Sequence, residues 1–101
     1  MEDIKLSITD NKGTADINLQ GKLSIMTIET IIPELNSAID KFSEFNFTLE
    51  NIEQMDLSAM QMLISIKKTL SSEQKKHTFT FRLSEQMQES VTEAGLLQQF
   101  N

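Results

Sequence analysis

The stretch FNFTLENIEQMDLSAMQMLISI, residues 45–66, decides the fold because its hydrophobic period changes along its length. Its first part, FNFTLEN, alternates apolar and polar residues, which is the period of a β-strand with one buried face. A polar segment around residue 53 follows, and from residue 58 to 70 the apolar residues recur at helical spacing. The stretch therefore predicts a strand, a short loop and an amphipathic helix.

Segments on both sides of this unit repeat the same two periods. IKLSITD and TADINLQ alternate around the turn DNKG, where Gly13 can take a positive φ, so they predict a β-hairpin. HTFTFRL predicts a fourth strand.

The segment SIMTIETIIPELNSAIDKF predicts a helix, and we expect it to begin between Thr27 and Thr30. If Thr30 caps it, Pro33 falls in the first turn, where a missing N–H costs little; if it begins at Thr27, we expect a distortion near Pro33. Ser84 is expected to cap a last helix that Gly95 ends, before a short apolar tail.

The predicted order is β-β-α-β-α-β-α in a single domain, residues 1–101. The helices that separate the last three strands are long enough for crossovers, so we expect those strands to be parallel and the first pair antiparallel. All four strands alternate, whereas strands covered by helices on both faces usually read as continuous apolar runs. The prediction is a small α/β fold with a four-stranded mixed sheet, three to four helices mainly on one face, and a largely polar other face.

Composition excludes several classes of protein. The 101 residues include no cysteine and one histidine, which excludes a disulfide scaffold, a thiolate metal site and a multi-histidine metal site. A net charge of −6 makes the chain a poor ligand for nucleic acid. It has no apolar run long enough to span a bilayer, and its first residues do not resemble a signal peptide. We expect a cytoplasmic protein with no direct membrane insertion.

Catalytic patterns are also missing. The three glycines stand too far apart for a phosphate-binding loop. His77 opens a strand on its apolar side, where a packed or capping role is expected, and the carboxylates are scattered rather than paired. We therefore expect no enzymatic activity, no cofactor and no metal.

The junction between the third strand and the second helix carries Asp56 and Ser58, and two interpretations of it stay open. In the first, Ser58 and Gln61 form a capping box and Asp56 complements the helix dipole. In the second, Ser58 is a phosphorylation site, because a phosphate at a helix N-terminus meets free N–H groups and adds about −1.5 to −2 charge. The spacing alone is compatible with both.

An apolar docking patch is a further possibility at the same junction. Met60 and Ile64 lie one turn apart, off the main buried stripe of the second helix, and Met55 precedes that helix. Such patches often mark sites of protein interaction, and methionine adapts to different partners. The alternative is that the last helix covers these side chains.

Three segments together resemble the STAS domain, the fold of bacterial anti-sigma-factor antagonists: GKLSIMTIETIIPELNSAID, MDLSAMQML and VTEAGLLQQF. The resemblance implies a small mixed sheet packed on helices. It also implies a partner-switching regulator, in which an anti-sigma-factor-type serine kinase phosphorylates a residue at the start of the second helix and a phosphatase reverses the modification. The unphosphorylated domain captures the kinase.

The resemblance carries over to a switch loop of Asp56, Leu57 and Ala59 around Ser58. Asp56 matches the family motif, but Leu57 stands where the acceptor hydroxyl usually is, and Ala59 replaces the usual glycine. Ser58 is then the hydroxyl one position later, and either the acceptor has moved there or phosphorylation has been lost.

Other functions of this fold also stay open. One is a constitutive adaptor or a transporter-associated subunit. Another is a STAS protein linked to chemotaxis or to a two-component system that works with another signalling protein and without phosphorylation. A nucleotide-sensing role is the least supported, because the chain has neither a Gly-rich loop nor a basic cluster.

Overall fold

The computed structural model describes residues 4–93, with side chains up to residue 89. The expected Gly95 terminator and the apolar tail lie outside the described residues. The elements are β1 (Ile4–Asn11), β2 (Thr14–Leu23), α1 (Ile25–Lys41), β3 (Glu44–Met55), α2 (Leu57–Ser72), β4 (Lys76–Arg82) and α3 (Glu85–Glu93). This order confirms the predicted β-β-α-β-α-β-α arrangement. No helix within residues 4–93 has the length and apolar character needed to cross a membrane.

The four strands form one mixed sheet in the order β1-β2-β3-β4. β1 and β2 are antiparallel, and β2, β3 and β4 are parallel, as predicted. The hairpin turn has positive φ at two successive residues, 55° at Lys12 and 91° at Gly13. Two such residues are typical of a type I′ turn, whose twist matches that of the strands it joins. The Asp10 carboxylate supports the turn by accepting from the Gly13 N–H at 3.0 Å.

β3 is longer than the sequence predicts. The residues around 53, expected to be a loop, continue the strand to Met55. The strand crosses two register shifts on the way: Gly21 pairs with Ile52, but Lys22 pairs with Gln54. Asn51 takes a left-handed φ of 52° at this point, a conformation that asparagine tolerates better than most residues. The irregularity breaks the alternation, and a pattern of period two therefore ends before the strand does.

α1 begins before the expected range of Thr27 to Thr30, so Pro33 does not lie in the first turn, where a Thr30 cap would have put it. Ser24 is the N-cap, and it forms a capping box with Thr27: the Thr27 N–H donates to Ser24 Oγ at 3.2 Å, and the Ser24 N–H donates to Thr27 Oγ1 at 2.9 Å. Two helix-terminal donors are satisfied in this way, which stabilises a start at Ile25. Pro33 then sits inside the helix, about two turns from its start, and it cannot donate to the carbonyl of Glu29.

The helices pack on the apolar face of the sheet. α1 contacts β1, β2 and α2, and α2 contacts β4. The buried residues form one core, in which Phe45 and Phe47 are almost fully buried. Phe47 stacks on Phe79 of β4 with ring centroids 4.5 Å apart and nearly parallel planes. The α3 helix begins as predicted, with Ser84 Oγ accepting from the Met87 N–H at 3.2 Å.

The opposite face of the sheet is polar, as predicted, and its side chains bond across the strands. Thr78 Oγ1 donates to Asn46 Oδ1 at 2.7 Å, and Asn46 Nδ2 donates to Asp16 Oδ1 at 3.1 Å. Asn18 Nδ2 donates to Glu50 Oε1 at 2.7 Å. The ladder joins β2, β3 and β4 on the side away from the helices, so polar pairing supports the same register as the core.

Replacing Phe47 tests the stacked centre of this core. We expect Phe47→Ala to lower the free energy of unfolding by about 3–5 kcal/mol, because it removes a buried ring and leaves a cavity between β3 and β4. Thr80→Ala, an exposed position on the polar face, should change it by less than about 0.5 kcal/mol. Urea denaturation followed by circular dichroism measures both. Equal effects of the two substitutions would contradict the packing described.

Candidate functional site

The junction between β3 and α2 lies beside the junction between β2 and α1. Leu23 and Met55, the last residues of the two parallel strands, are paired. The Asp56 N–H donates to the Leu23 carbonyl at 2.9 Å, which ties the two junctions together. α1 begins at Ile25 and α2 at Leu57. The N-termini of both helices therefore lie at the end of the sheet formed by the carboxyl ends of β2 and β3, called here the carboxyl edge of the sheet. Functional groups gather at this edge in open α/β sheets.

Asp56, not Ser58, caps α2. Asp56 Oδ1 accepts from the Ala59 N–H at 2.8 Å, and the Asp56 carbonyl accepts from the Met60 N–H at 3.2 Å. The predicted capping box of Ser58 and Gln61 is wrong, because the helix starts one residue before Ser58. A carboxylate at the N-cap takes an orphan N–H and also faces the positive end of the helix dipole.

Ser58 does not cap the helix, and it lies exposed in the first turn of α2. Within residues 4–93 no side-chain hydrogen bond involves its hydroxyl. Leu57 beside it is 55% exposed. Ala59, the third residue of the helix, is fully buried. The first turn of α2 therefore presents one hydroxyl and one apolar side chain to solvent.

The expected docking patch of Met55, Met60 and Ile64 is not an exposed surface. Met60 is 2% exposed and belongs to the core, so its assignment to a contact surface is wrong. Met55 is half-buried against that core, and Ile64 is also half-buried. The reason is the width of the buried face of α2, which packs against both α1 and β4 and so covers more than a single stripe.

The large apolar residues that the structure exposes lie elsewhere, at the same sheet edge. Within the part of the chain described, they are Ile25 at 37%, Met26 at 76% and Leu57 at 55%, called here the apolar edge residues. Ile25 and Met26 open α1, and Leu57 opens α2. Sequence reasoning missed Ile25 and Met26 because it started α1 after them. The signal that could have found them is Ser24, a residue type favoured at the N-cap, which stands directly before the apolar Ile25 and Met26.

Removing the cap oxygen tests which residue holds the start of α2. Asp56→Ala should lower the free energy of unfolding by about 0.5–2 kcal/mol, because the Ala59 N–H loses its acceptor. Asp56→Asn keeps an acceptor oxygen and should retain most of the stability. Ser58→Ala should change it by less than about 0.5 kcal/mol. Thermal or urea unfolding measures all three, and a larger loss for Ser58→Ala than for Asp56→Ala would restore Ser58 as the cap.

Comparison with known proteins yields matches to solved structures. No family model and no curated protein matches the sequence. An anti-sigma factor antagonist from Mycobacterium paratuberculosis superposes with a TM-score of 0.71 at 17% identity, covering 98% of this chain and 84% of that one. The anti-sigma factor antagonist SpoIIAA in its unphosphorylated form superposes with a TM-score of 0.69 at 19% identity, covering 92% of this chain and 81% of that one.

The phosphorylated form of SpoIIAA, described as a Bacillus cell fate determinant, matches with a TM-score of 0.64 at 20% identity, covering 92% of this chain and 84% of that one. The matched structures thus include both states of one antagonist. In each case the match extends over nearly the whole of this chain. The chain therefore has the STAS fold, in the form that anti-sigma factor antagonists share.

Proposed function

We propose that this chain is a partner-switching domain that binds a signalling protein through the edge at which α1 and α2 begin. One observation carries the proposal: the Ser58 hydroxyl, which makes no side-chain hydrogen bond within residues 4–89, lies exposed beside Leu57, at the edge that also exposes Ile25 and Met26. A hydroxyl that performs no capping is available for modification. Apolar side chains around it supply a surface whose binding that modification can control.

In the unmodified state the apolar edge residues provide the contact. Met26 and Leu57 are both more than half exposed, so a partner that covers them gains the free energy of apolar burial. They lie on the first turns of two capped helices, so their backbone is already ordered before binding. This arrangement reduces the conformational entropy that docking must remove.

In the modified state a phosphate on Ser58 would make this apolar surface negatively charged. It would add about −1.5 to −2 charge in the first turn of α2, next to the Asp56 carboxylate and adjacent to Leu57. The free N–H groups of the helix N-terminus would hold the phosphate in place. An apolar or acidic partner surface would then lose affinity through desolvation and repulsion.

The partner that fits this scheme is an anti-sigma-factor-type serine kinase, with a phosphatase that restores the unmodified state. The fold likeness to the antagonists supports this class of partner. Leu57 takes the position at which the family motif usually places the acceptor, so Ser58 acts as the acceptor one residue later. Leu57 itself becomes part of the contact surface.

A constitutive adaptor is the second candidate, and the exposure of Leu57 favours it. An apolar residue at the usual acceptor position makes the edge a binding surface that cannot be modified there. On this alternative the domain binds one partner permanently, as a transporter-associated subunit or a component of a chemotaxis or two-component system would. Ser58 would then be a surface residue without a regulatory role.

Phosphorylation and the matched substitutions at Ser58 separate the two candidates. We expect the protein incubated with the anti-sigma-type serine kinases of its source organism and ATP to carry one phosphate, which mass spectrometry maps to Ser58. Ser58→Glu should weaken binding of that kinase by about tenfold or more, because it places a charge in the interface. Ser58→Ala should bind like the unmodified protein. Equal binding by the two variants would reject the switch.

Polar replacement of the apolar edge residues tests the surface itself. Leu57→Ser and Met26→Ser should each raise the dissociation constant for the same kinase by about tenfold, since each removes a large apolar contact. Lys76→Ser, at an exposed position near the amino ends of the strands, is the matched control and should leave binding unchanged. Calorimetry measures all three, and circular dichroism confirms that each variant is folded. Unchanged affinity of Leu57→Ser and Met26→Ser would place the interface elsewhere.

A further inference from the structure

We propose that β1 pairs with the β1 strand of a second copy of this chain, so that two sheets join into one across a two-fold axis. β1 is an edge strand, because it stands first in the strand order of the sheet. In the part of the chain that the structure describes, nothing pairs with its outer edge. A strand in this position presents a row of main-chain donors and acceptors that another strand can satisfy.

β1 has few of the features with which proteins usually protect an edge. It extends from Ile4 to Asn11 with an unbroken register to β2 and contains no proline and no bulge. Lys5 and Asp10 are its charged residues. Short length, proline, bulges and charged side chains are the usual devices against edge-to-edge pairing. Because β1 has two charges and none of the other devices, the strand stays competent to pair.

The hairpin determines which main-chain groups face outward. A two-residue turn places Asn11 and Thr14 in a hydrogen-bonded pair, and hydrogen-bonded pairs then alternate along β1. Ser7 and Asn18 form such a pair, so the Ser7 backbone faces β2. The outward-facing groups therefore belong to the residues between: Ile4, Leu6, Ile8 and Asp10.

Antiparallel pairing centred on Ser7 matches these groups with one another. Leu6 of one copy lies opposite Ile8 of the other in a hydrogen-bonded pair, and Lys5 lies opposite Thr9. The central Leu6 and Ile8 side chains then meet apolar ones, and the polar face meets polar side chains. Ile4 lies opposite Asp10 at each end of the pairing, and no like charges lie directly opposite each other. At the axis the two Ser7 side chains face each other in a non-hydrogen-bonded pair, with Cα atoms about 4.5 Å apart.

A concavity beside β1 supplies the space that this pairing needs. It has a volume of about 410 Å³ and lies between Ile8 and the second half of α1, with Pro33, Ala38 and Phe42 in its wall. In the proposed register the second copy brings its Leu6 next to Ile8, on this same side of the sheet. The side chain would enter the concavity and remove apolar surface of both copies from water.

Substitution of Ser7 tests the arrangement, because this exposed residue faces itself only across the proposed axis. We expect the unmodified protein to show a concentration-dependent monomer–dimer equilibrium in sedimentation experiments from micromolar to millimolar concentration. Ser7→Lys should raise the dissociation constant about fivefold or more, because two new ammonium groups meet at the axis beside both Lys5 side chains. Thr80→Lys adds the same charge at the far side of the polar face and should leave the dimer intact.

Cross-linking provides a second measurement that does not depend on the charged variant folding. The chain has no cysteine, so Ser7→Cys introduces a unique thiol. Mild oxidation should convert Ser7→Cys into a disulfide-linked dimer at least tenfold faster than Thr80→Cys. A protein that remains monomeric at millimolar concentration would overturn the proposal. So would a dimer that is equally stable in Ser7→Lys, or equal cross-linking rates for the two cysteine variants.

Discussion

The parallel pairing of β2 with β3 is the constraint on which the rest of the structure depends. Ala15, Ile17 and Leu19 lie opposite Phe45, Phe47 and Leu49, and all six are buried. A slip of one residue would turn every one of these side chains to the polar face, so burial fixes the register. The same pairing brings the ends of the two strands level, Leu23 beside Met55. The start points of α1 and α2, and the edge between them, follow from it.

Asp56 alone performs the structural tasks at the start of α2, which leaves Leu57 and Ser58 available for binding and modification. Asp56 satisfies the helix end through Ala59 and also reaches back to the Leu23 carbonyl through its own N–H. Because one residue performs both structural tasks, the two residues that follow carry none. Ser58 and Leu57 are free to differ from other proteins of the same fold without loss of the helix. A change in regulation can thus occur on an unchanged scaffold.

Sequence periodicity predicted the element order, the strand directions and the polar face, because one buried face per element imposes a simple pattern. It failed where two structural causes compete. At residues 51–55 a left-handed Asn51 and the register shifts keep the strand paired while its alternation is lost. At α1, Pro33 favours a late helix start, because proline is tolerated best in the first turn. The capping box of Ser24 and Thr27 instead fixes the start at Ile25. For this reason the sequence does not indicate that Ile25 and Met26 are exposed on a first turn.

The burial of Met60 is also not predicted, because the pattern of a single helix does not reveal how many neighbouring elements pack against it.

Pro33 interrupts the hydrogen-bond ladder of α1 without ending the helix. The carbonyl of Glu29 receives no N–H from residue 33, and both residues are exposed, so water is its natural partner. Helices bend most easily where such a bond is missing. Ile28 and Ile31 before Pro33, and Leu35 and Ala38 after it, all lie in the core, so both halves of the helix are anchored on the sheet. The missing hydrogen bond therefore releases neither half. The turn that carries Met26 is held in place by side-chain packing rather than by an unbroken hydrogen-bond ladder.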